Sequence, residues 1–138
     1  MNKSIEVNGV SVLIFRVCLS GIFITAGISQ IIQPEKVAGR IHSSSFQSFT
    51  QFFGAPNLLA IFSGFTLLAS GIALLLGVLT GWSILFLFLV LIPITITIQM
   101  DSGLFHGPLW KNVALFGGLI FFIINNPKNY SIYNKSKI

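Results

Sequence analysis

Charged residues are scarce in this sequence. Only 8% of its 138 residues are Asp, Glu, Lys or Arg, whereas soluble domains contain roughly a quarter. Hydrophobic residues make up 54% of the chain and come in long blocks rather than alternating with polar residues. Because such blocks would aggregate in water, they favour a lipid bilayer as the solvent. We therefore expect an integral membrane protein.

Cysteine and histidine are also rare. The single cysteine, Cys18, excludes an internal disulfide and a C-x-x-C redox pair. The two histidines, His42 and His106, lack the spacing of metal ligands. The formal charge of +5 is spread over loops and ends without a basic run, which argues against nucleic-acid binding. No nucleophile-base pair, carboxylate pair or glycine-rich phosphate loop is present, so we expect no catalysis by this chain alone.

Four apolar segments are long enough to cross a membrane as helices. Their approximate bounds are residues 10–32, 57–79, 82–99 and 108–124. The sequence therefore predicts an all-α fold, an integral membrane four-helix bundle in a single domain of residues 1–126. The remaining residues, 127–138, are polar, and we expect them to form a frayed tail.

A longer connection, residues 33–56, joins the first two spans. Pro34 is expected to stop the first helix. The stretch SFQSFTQFF places Phe46, Phe49 and Phe53 at offsets of three and seven residues. This spacing predicts a short helix in the membrane interface with its aromatic side chains inserted, and an ordered loop that caps the bundle is the alternative.

With four spans, both termini lie on the same side of the membrane. That side carries Lys3, Lys128, Lys135 and Lys137. The opposite side carries Lys36, Arg40 and Lys111. Under the positive-inside rule, this excess favours a cell-membrane protein with both termini in the cytoplasm.

Small residues recur in stripes along the predicted helices. Gly21, Thr25 and Ser29 are four residues apart, and Gly64 and Gly71 are seven apart. Small residues let helices approach closely in lipid, so we interpret these stripes as packing surfaces within the bundle. A homodimer surface is the alternative.

One arginine, Arg16, lies inside the first span. Positions 16, 20, 23, 27 and 30 share one face of that helix, and Arg16, Ser20 and Gln30 make it the most polar face. We expect this face to point into the bundle. Because spans two to four contain no acidic residue, four partners for Arg16 remain: backbone carbonyls at a helix end, a lipid phosphate reached by snorkelling, a bound ligand or another subunit.

A second polar group follows the third span. The stretch QMDSGLFHGPLWKN contains Gln99, Asp101, His106, Trp110, Lys111 and Asn112. The connection between spans one and two adds Glu35, Lys36, Arg40 and His42 on the same side. These residues form either a polar mouth or a water-facing rim with Trp110 in the aromatic belt.

Three stretches resemble the DoxX-like family of four-helix membrane proteins. FRVCLSGIFITAGISQI is similar to the first helix of the family, and GAPNLLAIFSGFTLLASGIALLLGVLTGW to its second helix and the start of the third. HGPLWKNVALFGGL is similar to the last loop and helix. The resemblance implies an association with quinone-dependent membrane oxidoreductase complexes.

Within this resemblance, Arg16 and His106 match the family pattern. Gln30 stands where the family often has a lysine, and Leu67 stands where it often has a glutamate. The loss of these two charges implies that an activity that depends on the full set is altered in this chain.

Two functions are compatible with the sequence. The first is a non-catalytic accessory subunit of a quinone-linked membrane redox complex, which contacts a quinone or a partner subunit. The second is a small-solute or ion permease that acts as an oligomer, with Pro93 as a flexible point in the third span. The candidate contact residues for ligand or partner are Arg16, Ser20, Gln30, Asp101, His106 and Lys111.

Overall fold

The computed structural model describes residues 7–45, 47–52, 54–100, 103–127 and 131–132. The regular elements within these ranges are helices. In chain order they are α1 (Gly9–Ile32), α2 (Pro34–His42), α3 (Gln47–Phe52), α4 (Pro56–Leu76), α5 (Thr80–Ile94) with a π-helical extension (Thr95–Gln99), and α6 (Gly107–Asn125).

Four of these helices are long and apolar enough to cross a membrane: α1, α4, α5 together with its π-helical extension, and α6. Their bounds agree with the predicted spans to within three residues, so the prediction of an all-α four-span fold is confirmed. The largest difference is the end of α4 at Leu76. It ends there because Gly77 adopts a left-handed φ of 67°, and Val78 N–H bonds back to the Ala73 carbonyl at 2.9 Å.

The four spans form a closed ring. Helix α1 packs against α4, α4 against α5, and α5 against α6. Helix α6 returns to α1 through Phe15, whose ring centroid lies 5.5 Å from those of Phe121 and Phe122. The core between the helices includes Leu19, Leu67, Leu87 and Leu119.

Glycines set the close approach of α1 and α4. A Cβ on Gly27 would lie 2.7 Å from both the Gly64 carbonyl oxygen and the Leu68 nitrogen. A Cβ on Gly71 would lie 3.2 Å from the Ile24 nitrogen. Only glycine permits backbones to pack this closely, so the predicted packing role of Gly64 and Gly71 is confirmed.

The other small-residue stripe of α1 faces away from the bundle. Thr25 and Ser29 are exposed, and a Cβ on Gly21 would meet nothing within 4 Å. The interpretation of this stripe as a packing surface inside the bundle is therefore wrong. The bundle side of α1 is instead the face that carries Arg16 and Gly27.

The connection between the first two spans contains a helix that the sequence analysis missed. Pro34 stands in the first turn of α2, where its fixed φ and missing N–H are tolerated. Ala38 and Ile41 of α2 are buried, and α2 packs against α4. Helix α3 forms where the short interfacial helix was predicted. Phe46, Phe53 and the side chain of Phe49 lie outside the described residues, so the insertion of these aromatics stays a prediction.

Pro93 lies inside α5, and the helix changes to π geometry two residues later. The Thr95 hydroxyl donates a hydrogen bond to the Leu91 carbonyl at 2.7 Å. The Thr97 hydroxyl donates one to the Pro93 carbonyl, also at 2.7 Å. Proline distorts a helix because it lacks an N–H, and here the distortion is a change in helix type.

Candidate functional site

The polar face of α1 points into the bundle, as predicted. Arg16, Ser20, Phe23 and Gly27 are all buried. Arg16 has 0% exposure, so its guanidinium does not snorkel to the membrane surface, and that interpretation is wrong.

Among the described residues, groups at the ends of two other helices contact Arg16. Its Nη2 donates a hydrogen bond to the Pro127 carbonyl at 3.1 Å, just beyond the end of α6. Its Nη1 lies against Gly77, at the end of α4, and its guanidinium lies 5.4 Å from the Phe122 ring centroid. The carboxyl ends of helices carry partial negative charge, which stabilises a cation. The interpretation that backbone carbonyls at a helix end compensate Arg16 is therefore confirmed.

The chain after α6 returns to cover this arginine. Ile132 N–H donates to the Leu76 carbonyl at 3.0 Å, and Ser131 packs against Gly77. The expectation of a frayed tail is therefore wrong for Pro127, Ser131 and Ile132. One feature of the sequence could have indicated that the segment after α6 packs here. A buried arginine needs hydrogen-bond acceptors from elsewhere in the chain.

The interior holds further polar pairs. Gln30 Oε1 accepts a 2.7 Å hydrogen bond from Ser63 Oγ between α1 and α4. Asn112 Nδ2 donates to Thr95 Oγ1 at 2.9 Å between α6 and the π-helical turn. These bonds tie the helices together in a medium where an unpaired polar group is costly.

Two buried hydroxyls, those of Ser20 and Thr80, are not paired in this way within the described residues. Ser20 and Thr80 both have 0% exposure. Neither hydroxyl has a hydrogen-bond partner within the described residues. Ser20 lies one helical turn along α1 from Arg16, and Thr80 begins α5.

At the opposite end of the bundle, α2, the π-helical turn and α6 line a partly open cavity of about 490 Å³, which we call the rim pocket. Its lining residues are Arg40, Ser43, Ser44, Ile98, Gln99, His106, Pro108 and Lys111. The fold thus brings together two of the candidate contact residues, His106 and Lys111. Two further members of the predicted polar group, Gln99 and Arg40, line the same pocket.

Other members of the predicted polar group lie elsewhere. Asn112 is buried and bonds inward. Trp110 is exposed, and its Nε1 donates to the Leu104 carbonyl at 2.8 Å. His42 Nδ1 lies 3.0 Å from Gln47 Nε2 rather than in the rim pocket. Asp101 lies outside the described residues.

Within the described residues, these features define a four-span integral membrane protein with a buried polar centre around Arg16 and a rim pocket at the other end. The model of the DoxX family matches residues 11–100. This match covers more than half of the chain, so the protein belongs to the DoxX family. Neither the curated proteins nor the solved structures contain a match.

Proposed function

We propose that this DoxX family protein is a non-catalytic accessory subunit of a quinone-linked membrane redox complex. The observation that carries the proposal is that three interior polar side chains are paired within the bundle. Arg16 bonds to Pro127, Gln30 to Ser63, and Asn112 to Thr95. These groups fix the bundle, which leaves contact with a partner subunit to its outer faces.

The outer face of α1 suits such a contact. Cys18, Thr25 and Ser29 are exposed there, and Gly21 has open space around it. Small residues on a lipid-facing helix let a second transmembrane helix approach closely. We therefore assign the partner contact to this face, which we call the outer α1 face. Arg16, Ser20 and Gln30 lie on the inward side of α1 and hold the helix in the bundle.

Gly21→Leu tests the assignment. The added side chain enters open space, so the fold should be retained, but it would hold a partner helix away from the outer α1 face. Gly117→Leu is the matched control because a Cβ on Gly117 of α6 also meets nothing within 4 Å. We expect tagged Gly21→Leu, purified from its native membranes, to lose its redox partner subunit, and Gly117→Leu to keep it.

Two results would contradict the proposal. One is retention of the redox partner by both variants or by neither. The other is solute flux through liposomes that contain this chain alone, which would favour an oligomeric permease.

The distribution of lysines supports one orientation of the subunit. We propose that both termini face the cytoplasm, because the sequence before α1 and after α6 contains more lysines than the sequence at the other end of the spans. Green fluorescent protein fused after Ile138 should fluoresce, whereas alkaline phosphatase fused there should be inactive. The reverse pattern would invert the orientation.

A further inference from the structure

The rim pocket is basic. Arg40 enters it from α2 and Lys111 from α6. Neither forms an ion pair within the described residues. Glu35, also on α2, is exposed and does not line the pocket. The lining residues in the described part of the chain include no carboxylate. Two cations that share such a cavity create a positive potential, which favours an anionic ligand.

The first turn of α6 adds to this potential. His106 precedes the helix but its side chain makes no capping hydrogen bond. His106, Pro108 and Lys111 all line the pocket, so the start of this 19-residue helix faces it. Helix N-termini carry partial positive charge and N–H groups that bind anions.

Gln99 supplies an independent indication of a ligand. Its side chain lines the pocket and is only 7% exposed. It makes no hydrogen bond within the described part of the chain. A buried amide normally has a partner, and its NH₂ group can donate to an anion in the pocket.

We propose that the rim pocket binds a phosphate group, held by Arg40, Lys111, Gln99 and the start of α6. The donors come from three elements, which suits the several oxygens of a phosphate better than the two of a carboxylate. The phosphate belongs either to a phospholipid headgroup or to a free anion. This proposal is independent of the partner contact at the outer α1 face.

Binding to the full-length chain, delipidated in detergent and in phosphate-free buffer, tests the proposal in two arms. The first arm adds phosphatidylglycerol and counts bound molecules by native mass spectrometry. The second titrates inorganic phosphate by calorimetry. We expect one site, and about tenfold weaker binding for Arg40→Gln and for Lys111→Gln, because each removes a charge-assisted hydrogen bond.

Lys36→Gln is the matched control. It removes the same charge from α2 at an exposed position that does not line the pocket. The affinity of this variant for phosphatidylglycerol or phosphate should therefore stay within twofold of that of the unsubstituted protein. Saturable binding of phosphatidylglycerol alone assigns the site to a headgroup, and binding of inorganic phosphate assigns it to a free anion. No saturable binding in either arm, or an equal loss in Lys36→Gln, would overturn the proposal.

Discussion

Arg16→Leu is expected to lower the free energy of unfolding by about 3 kcal/mol. The substitution removes the charge-assisted hydrogen bond to Pro127 and the contact with the Phe122 ring. It also leaves the half-buried Pro127 carbonyl without this donor and a space that leucine does not fill. In thermal unfolding followed by tryptophan fluorescence in detergent, the midpoint should fall by roughly 10 °C.

Lys36→Leu is the control for this measurement. Lys36 is exposed and does not line the rim pocket, and its replacement should change the free energy of unfolding by less than about 0.5 kcal/mol. Arg16→Lys should give an intermediate loss, because lysine keeps the charge but lacks the planar fork that reaches Pro127 and stacks on Phe122. Equal midpoints for Arg16→Leu and the original protein would contradict a structural role for this arginine.

Gly77→Ala is expected to destabilise the protein by a similar amount, about 3 kcal/mol. Part of this cost arises because the φ of 67° is unfavourable for alanine. The rest arises because the new Cβ would collide with Arg16 Nη1 and lie 2.7 Å from the Ser131 Cα. The same thermal unfolding measurement should show a midpoint about 10 °C lower.

Gly103→Ala separates these two causes. Gly103 also has a positive φ, 93°, but a Cβ there would meet nothing within 4 Å. Its replacement should therefore cost only about 1 kcal/mol, the backbone contribution alone. If Gly77→Ala were no more destabilising than Gly103→Ala, the close packing of Gly77, Arg16 and Ser131 would be wrong.

The sequence predicted the inward face of α1 but could not select the partner of Arg16. Helical periodicity is a local property, and it placed Arg16, Ser20 and Gln30 on one face correctly. One hydrogen-bond acceptor is the backbone carbonyl of Pro127, which is 111 residues further along the chain. Because every residue has such a carbonyl, residue types carry no information about which one is used.

The rim pocket was predicted only in part, for a different reason. Gln99, His106 and Lys111 are close in sequence, so the sequence predicted that they lie near each other. Arg40 was placed on the same side of the membrane, but its position in the pocket depends on α2, which was missed because Pro34 was interpreted only as the end of α1. Proline is equally compatible with the first turn of a new helix, and the burial of Ala38 and Ile41 shows which role applies.

The outer α1 face shows a further limit of sequence patterns. Small residues at fourfold spacing are equally suited to packing inside a bundle and to packing against another protein. The polarity of the opposite face, which carries Arg16, decides between these orientations of α1. Thr25 and Ser29 therefore face outward, although their spacing resembles that of an internal packing surface.

Native mass spectrometry of the protein, extracted gently from its own membranes, tests the proposed accessory role most directly. The account predicts a stoichiometric complex with a redox subunit that carries quinone. A chain that carries only lipid, as a monomer or as a homodimer, would contradict that role.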